Sequence, residues 1–368
     1  MTTLRRLQAA AFVSSYDRFI TPVLLLPIAA DFAVSLVTIS VAATLYYLLY
    51  GLMQPVWAVV SDRLGRIAVV RLALFVAAGA GLACGLAAGP DTVIAARAVS
   101  GAVLAGVIPA SLVWVGEALP GDERRGTSSL MAGIYSGTLV ASAAGAVAAY
   151  FDMWRAAVLA SAAVSAVLAV ALVRTTTPAL ASRPKVVDAV RGALTPAVAL
   201  VVLLAVVEGG VVHGSLTYFP AALESLGTGY AVAGLSVGVF GIGVVVVSRW
   251  VQTSTWSRRR VMVVGGIALT AALALAAFEP GIPGLLVAVL LLGAGFAATH
   301  SPLQAWATSA APEGRTIAVA FFVGGALAGA AAVTALGSAS AEAGNFGVLF
   351  GTAAVAAAVF TLTLSRRT

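Results

Sequence analysis

Gln54-Pro55-Val56-Trp57-Ala58-Val59-Val60-Ser61-Asp62-Arg63-Leu64-Gly65-Arg66 joins two long apolar runs, about 36–60 and about 67–88, through a short charged turn. Glycine at 65 lets the chain reverse tightly between two helices. Asp62 with Arg63 and Arg66 can bridge the helix ends that meet there. A loop that merely kept arginine on one side of a membrane would need neither the aspartate nor the glycine. Asp62, Arg63, Gly65 and Arg66 are therefore read as a conformational latch.

Outward from this turn the chain is a series of similar runs. Twelve are counted, at about 7–29, 36–60, 67–88, 92–116, 127–150, 155–174, 194–222, 230–251, 260–278, 284–308, 315–338 and 346–365, each long enough to cross a bilayer as a helix. Of the 368 residues, 61% are apolar and 10% charged, and the mean hydropathy is +1.04. A soluble domain carries about 25% charged residues, so soluble enzymes, nucleic-acid binders and disordered proteins are poor readings. The first run reads as a retained helix rather than a cleaved leader, because Asp17 and Arg18 interrupt it and Pro22 and Pro27 follow. The single cysteine, Cys84, excludes an internal disulfide and a cysteine-based metal site.

Charge sets the expected sidedness. Arg5, Arg6, Arg63, Arg66, Arg124, Arg125, Arg183, Lys185, Arg191, Arg258, Arg259, Arg260, Arg315, Arg366 and Arg367 fall in alternate connections, whereas the other side holds Asp31, Asp91, Asp152, Glu224, Glu279 and Glu342, with Arg155 at its edge. The asymmetry predicts both termini in the cytoplasm, and the absence of a transit segment predicts a multi-pass protein of the plasma (inner) membrane. A polar connection over 175–193, with Pro178 and Pro184, divides the chain into six-helix bundles at 1–174 and 194–368. A weak repeat supports the division: placing Trp114 on Trp306 brings Pro120 onto Pro312, and one further residue of shift places Pro27 on Pro220 and Asp31 on Glu224.

The turn quoted above resembles, in Ser61-Asp62-Arg63-x-Gly65-Arg66, the cytoplasmic signature of the major facilitator superfamily. Arg97-Ala98-Val99-Ser100-Gly101 is similar to the family's Arg-x-x-x-Gly element in the fourth helix, Pro120 to Gly126 to its Pro-x-x-x-Arg-Gly loop, and Trp154-Arg155 to the start of its sixth helix. The resemblance implies an all-α membrane protein of twelve transmembrane helices in two pseudo-symmetric six-helix bundles. It also implies a solute site between the bundles at mid-membrane, and no enzyme. There are departures: Ala58 replaces the first signature glycine, Ile67 replaces the last basic residue, and the second-half copy is reduced to Ser257-Arg258-Arg259-Arg260. A weaker latch is expected there. In the fifth run, Gly137 to Ala146 keeps the small-residue rhythm of drug–proton antiporters without their Gly-Pro kink.

Ionisable side chains inside a bilayer are costly and mark cavities or pathways. Asp17, Arg18, Arg97, Glu208, His213 and His300 are the candidates for proton coupling or solute binding. Asp17 leads, because a carboxyl in a dry cavity takes up a proton more readily than one in water; the alternative is a static Asp-Arg pair that fixes packing. Glu208 precedes Gly209 and Gly210, where a helix can bend. Histidine as a residue type suits proton exchange, which makes His213 and His300 candidates, or they simply hydrogen-bond between helices. Arg97 either holds an anion or snorkels to the interface. Tyr46, Tyr50, Trp114 and Trp306 are candidate cavity-lining residues. No metal site and no cofactor are expected.

The Asp17-Arg18-Phe19 segment with Pro27 resembles drug-efflux-like members, which implies proton-coupled efflux of small amphiphilic or drug-like molecules by alternating access, acting as a monomer. Its adjacent Asp-Arg pair also resembles organic-anion symporters, which implies proton-coupled uptake of a small organic acid anion. A membrane sensor that does not transport is the third reading. The expected partners are a small-molecule substrate, protons and the lipid bilayer, with no nucleic acid.

Overall fold

The computed structural model describes residues 2–175, 186–278, 281–312 and 314–367. Twelve helices in it are long and apolar enough to cross a membrane: α1 (Thr2–Asp31), α2 (Leu36–Leu64), α3 (Arg66–Gly85), α4 (Pro90–Ala118), α5 (Glu123–Tyr150), α6 (Trp154–Ala171), α7 (Pro196–Glu224), α8 (Gly229–Thr253), α9 (Arg258–Ala277), α10 (Gly281–Ala310), α11 (Arg315–Glu342) and α12 (Phe346–Arg366). Inside a bilayer a helix satisfies every backbone group within its own segment. The runs of the sequence are accordingly extended at their polar ends. Residues 2–6 continue α1, and α11 continues past 338 to Glu342. Hydroxyls stop the fraying where helices begin: Ser35 accepts from the Thr38 N–H ahead of α2, Thr195 from Val198 ahead of α7, and Ser257 from Arg260 ahead of α9. Gly65 takes φ +89°, the left-handed region glycine favours, and makes the α2–α3 reversal that the sequence predicts there.

Helices pack in the same pattern twice. In the first half α1 lies on α5, α2 on α4, and α3 on both α4 and α6; in the second, α7 lies on α11, α8 on α10, and α9 on both α10 and α12. The crossings repeat at single residues. Gly137 of α5 sits against the Phe12 carbonyl and Gly329 of α11 against that of Val206, while Gly101 of α4 sits against Tyr46 and Gly293 of α10 against Phe240. A methyl group at any of these would strike the facing backbone. Lipid is as apolar as leucine, so contact between membrane helices comes from such close approach. The interval from Gly101 to Gly293 equals that from Gly137 to Gly329 and from Trp114 to Trp306, so the weak sequence repeat corresponds to a structural one. Across the halves, α2 packs on α11 and α5 on α8.

Three helices are broken where they approach the centre. α4 loosens at Ala105 and Gly106. α7 passes through a π-helical turn at Gly210–Gly214, immediately after Glu208 and Gly209, where the sequence predicts a bend. α8 is interrupted at Leu235. Within the 175–193 connection, Val186–Ala193 forms a short helix packed on α11, with Ala193 buried beside Ile317 and Ala318. Residues 176–185, with Pro178 and Pro184, lie outside the described residues, as do Glu279 and Glu313.

Candidate functional site

A cavity of about 490 Å³ lies between the halves, walled by α1, α2, α4 and α5 on one side and α7, α8, α10 and α11 on the other. Its lining runs to Ala58, Ser248 and Arg315, near the arginine-rich end of the molecule. The acidic end is fastened across the halves. Ser142 Oγ of α5 donates to the Gly234 carbonyl (2.9 Å) and accepts from the Gly238 N–H (2.8 Å) of α8. This hydroxyl stands in the helical ladder beside the Leu235 interruption, a recognised cause of a kink. Farther out, Glu342 at the end of α11 accepts from the Val37 N–H in the first turn of α2 (2.7 Å).

Neighbouring positions on α1 have opposite environments, since successive helical residues point about 100° apart. Asp17 turns into the first bundle. Its Oδ1 accepts from Arg97 Nη1 (2.8 Å), while Arg97 Nη2 donates to Thr21 Oγ1 and to the Asp17 carbonyl (2.5 Å each). The Tyr46 ring covers the guanidinium at 4.7 Å. Asp17 is 5% exposed and Arg97 3%. Arg97 therefore does not snorkel: the carboxylate of α1 compensates its charge inside the bundle, and the partner of Asp17 is Arg97 rather than Arg18. Arg18 lines the cavity, with its guanidinium 4.8 Å from the Phe19 ring and 5.7 Å from that of Tyr50. No hydrogen bond or ion pair to Arg18 is found among the described residues, and its buried Nε has no partner.

In the second half the acid is Glu208, fully buried on α7 just before the π-helical turn. Thr299 Oγ1 donates to Glu208 Oε1 (2.5 Å), and His300 Nδ1 lies 2.9 Å from Oε2. His300 is part of the cavity wall, so its ring connects the carboxyl to the space where a solute sits. His213 also faces the cavity, 5.0 Å from the Phe296 ring and 6.0 Å from that of Phe19.

The structure divides the other candidates. Tyr50 lines the cavity. Tyr46 does not, because it covers Arg97 within the first bundle. Trp114 is buried in the core and Trp306 sits beneath Arg258 at 5.8 Å, both in the last turns of their helices and away from the cavity. Phe19, Gln54, Phe240, Phe296 and Gln304 form cavity wall that the sequence analysis does not single out. Thr299 is also new, and only its place beside His300 hints at it.

The latch residues converge within the first half. Arg66 donates to Asp62 Oδ1 (2.5 Å), Ser61 Oγ (2.7 Å) and Glu117 Oε1 (2.9 Å), which ties the ends of α2, α3 and α4. Arg63 is exposed and makes no ion pair among the described residues. In the second half Arg258 and Arg260 lie over Trp306 and Trp256 and have no acidic partner among the described residues. Among the described residues no three His, Cys, Asp or Glu side chains gather as a metal site would require.

Comparison with known proteins agrees with this geometry. The structure resembles that of a variant of the nucleoside transporter NupG, with a TM-score of 0.78 at 12% identity, covering 97% of this chain and 98% of that one. It resembles a bacterial homologue of the human lysosomal transporter Spinster in an inward-facing, occupied conformation, at 0.76 and 16% over 100% and 97%. It also resembles a D-xylose–proton symporter, at 0.75 and 16% over 98% and 96%. No curated protein sequence matches the chain. The family model of the Major Facilitator Superfamily matches residues 8–254. A sequence match over most of its length, on a scaffold of twelve helices in two like bundles around a central cavity, makes this chain a transporter of the major facilitator superfamily.

Proposed function

We propose that the chain moves a small organic anion together with protons through the central cavity, by rocking its two bundles about that site. The observation that carries this reading is the charge on the wall. Arg18 stands there without a counter-ion, while Asp17 is held by Arg97 and Glu208 is turned to Thr299 and His300. A cation facing a low-dielectric cavity attracts an anion and repels a second cation. An exporter of lipophilic cations would need a carboxylate in the place of Arg18.

Protons enter the reading through Glu208 and His300. The pair shares one hydrogen bond, and its histidine touches the cavity, so a solute arriving there changes the electrostatic surroundings of both groups. The two bundles would give alternating access, and the seal at the acidic end with lining that reaches Arg315 corresponds to an inward-facing state if arginine marks the cytoplasm. We place both termini inside on the same ground and keep the plasma (inner) membrane that the sequence predicts.

Proteoliposomes with an imposed pH gradient test the proposal. Uptake of a radiolabelled organic acid should follow the proton gradient and collapse when a protonophore is added. Accumulation of a lipophilic cation against that gradient, with no movement of the acid, would replace this reading with amphiphile export.

A further inference from the structure

The wall around Arg18 is made of ring faces more than of polar groups. Phe19 and Tyr50 flank its guanidinium from the first half. From the second half come Phe296 and the almost fully buried Phe240, 5.9 Å apart between centroids, with His213 5.0 Å and His300 4.5 Å from Phe296. All of these line the one cavity. An anion that meets Arg18 must lay the rest of its body along this aromatic wall. An aliphatic body would bury comparable area there, but a planar ring gains stacked and edge-to-face contacts in addition. Charge and ring would then be gripped by opposite halves, since Arg18 belongs to α1 and Phe240 and Phe296 to α8 and α10. The cavity size falls within the range of about 300–1,000 Å³ common to small-molecule sites.

We propose that the solute is a planar aromatic monocarboxylate, held by its carboxylate on Arg18 and by its ring against Phe240 and Phe296. The proposal rests on the anion reading above and adds the ring and its orientation. Arg18 is the guanidinium among these rings, the other one that lines the cavity, Arg315, lying toward its arginine-rich end, so one carboxylate is matched here; a second beside it would face the buried acid behind His300. Gripping the solute from both halves also makes its binding a force between them, which a site within one bundle could not provide.

Calorimetric titration of the full chain in lipid nanodiscs with benzoate, 2-naphthoate, cyclohexanecarboxylate and benzyl alcohol tests it. The two aromatic acids should bind about tenfold tighter than cyclohexanecarboxylate, as the added ring contacts require, and benzyl alcohol should give no measurable binding. Phe296→Leu should erase the aromatic preference while cyclohexanecarboxylate still binds, and Arg18→Gln should lose all three acids. Should Phe296→Leu fail to fold, Phe240→Leu probes the same wall. Equal affinity for benzoate and cyclohexanecarboxylate in the unmodified chain would overturn the aromatic inference and leave the anion reading standing. Failure of every carboxylate to bind would overturn both.

Discussion

Asp17 and Glu208 are both buried carboxyls at the heart of their half, and they are kept in opposite ways. Asp17 is neutralised by a guanidinium within its own bundle, under a tyrosine ring and away from the cavity. Glu208 has no cation of fixed charge beside it; its partners are a hydroxyl and a histidine that reaches the cavity wall. An arginine stays charged under all ordinary conditions, so the first acid has a constant surrounding. A histidine can gain or lose a proton, so the second has a variable one. Two buried carboxyls that the sequence cannot tell apart thus differ in the kind of partner they have. The sequence ranks Asp17 first for proton coupling; the reading proposed above gives that part to Glu208.

The sharpest way to break this contrast is Asp17→Asn. Removing one partner of a buried ion pair strands the other charge and costs about 3–5 kcal/mol. Denaturant unfolding in detergent should show that loss, and the double change Asp17→Asn with Arg97→Leu should recover most of it. A stable Asp17→Asn protein that has lost only its response to a pH gradient would reverse the two roles. Next in size, Glu208→Gln keeps shape and hydrogen bonds but cannot exchange a proton. Gradient-driven uptake should fall at least about tenfold while solute exchange without a gradient stays within about twofold, a difference of about 1.4 kcal/mol in driving the cycle. Equal losses in both assays would make Glu208 another structural acid. The smallest effect is expected of Thr299→Val, which removes one hydroxyl from Glu208 and leaves His300 in place. A fall in stability of about 1 kcal/mol is expected, read by thermal unfolding.

Most of the scaffold was legible because length and hydropathy report directly on a membrane span. The turn at Gly65 and the bend after Glu208 were legible from glycine, whose backbone behaviour is local. Facing was not. Around a membrane helix the lipid side and the protein side are both apolar, so periodicity cannot say that Asp17 turns inward to Arg97, 80 positions along the chain, while Arg18 turns to the cavity. Trp114 and Trp306 illustrate the same limit: their repetition marks the duplicated scaffold, yet both sit in the last turn of a helix and neither reaches the cavity. Thr299 was hidden for a different reason. A threonine within a helix ordinarily bonds the carbonyl four residues back; Thr299 Oγ1 is within reach of both Gly295 and Glu208, between which its one hydrogen is shared, and the contact with Glu208 leaves no trace in the local sequence.

The Ser142 hydroxyl takes the place of one rung in α8, between the Gly234 oxygen and the Gly238 nitrogen. These two groups are four residues apart, the spacing at which a helix would join them unaided. The Gly238 N–H also donates to the Leu235 carbonyl (2.9 Å), so if the halves part at that end, as the proposed cycle requires, it keeps a partner inside its own helix. Opening that end in the proposed cycle would therefore strand no N–H of α8 at Gly238.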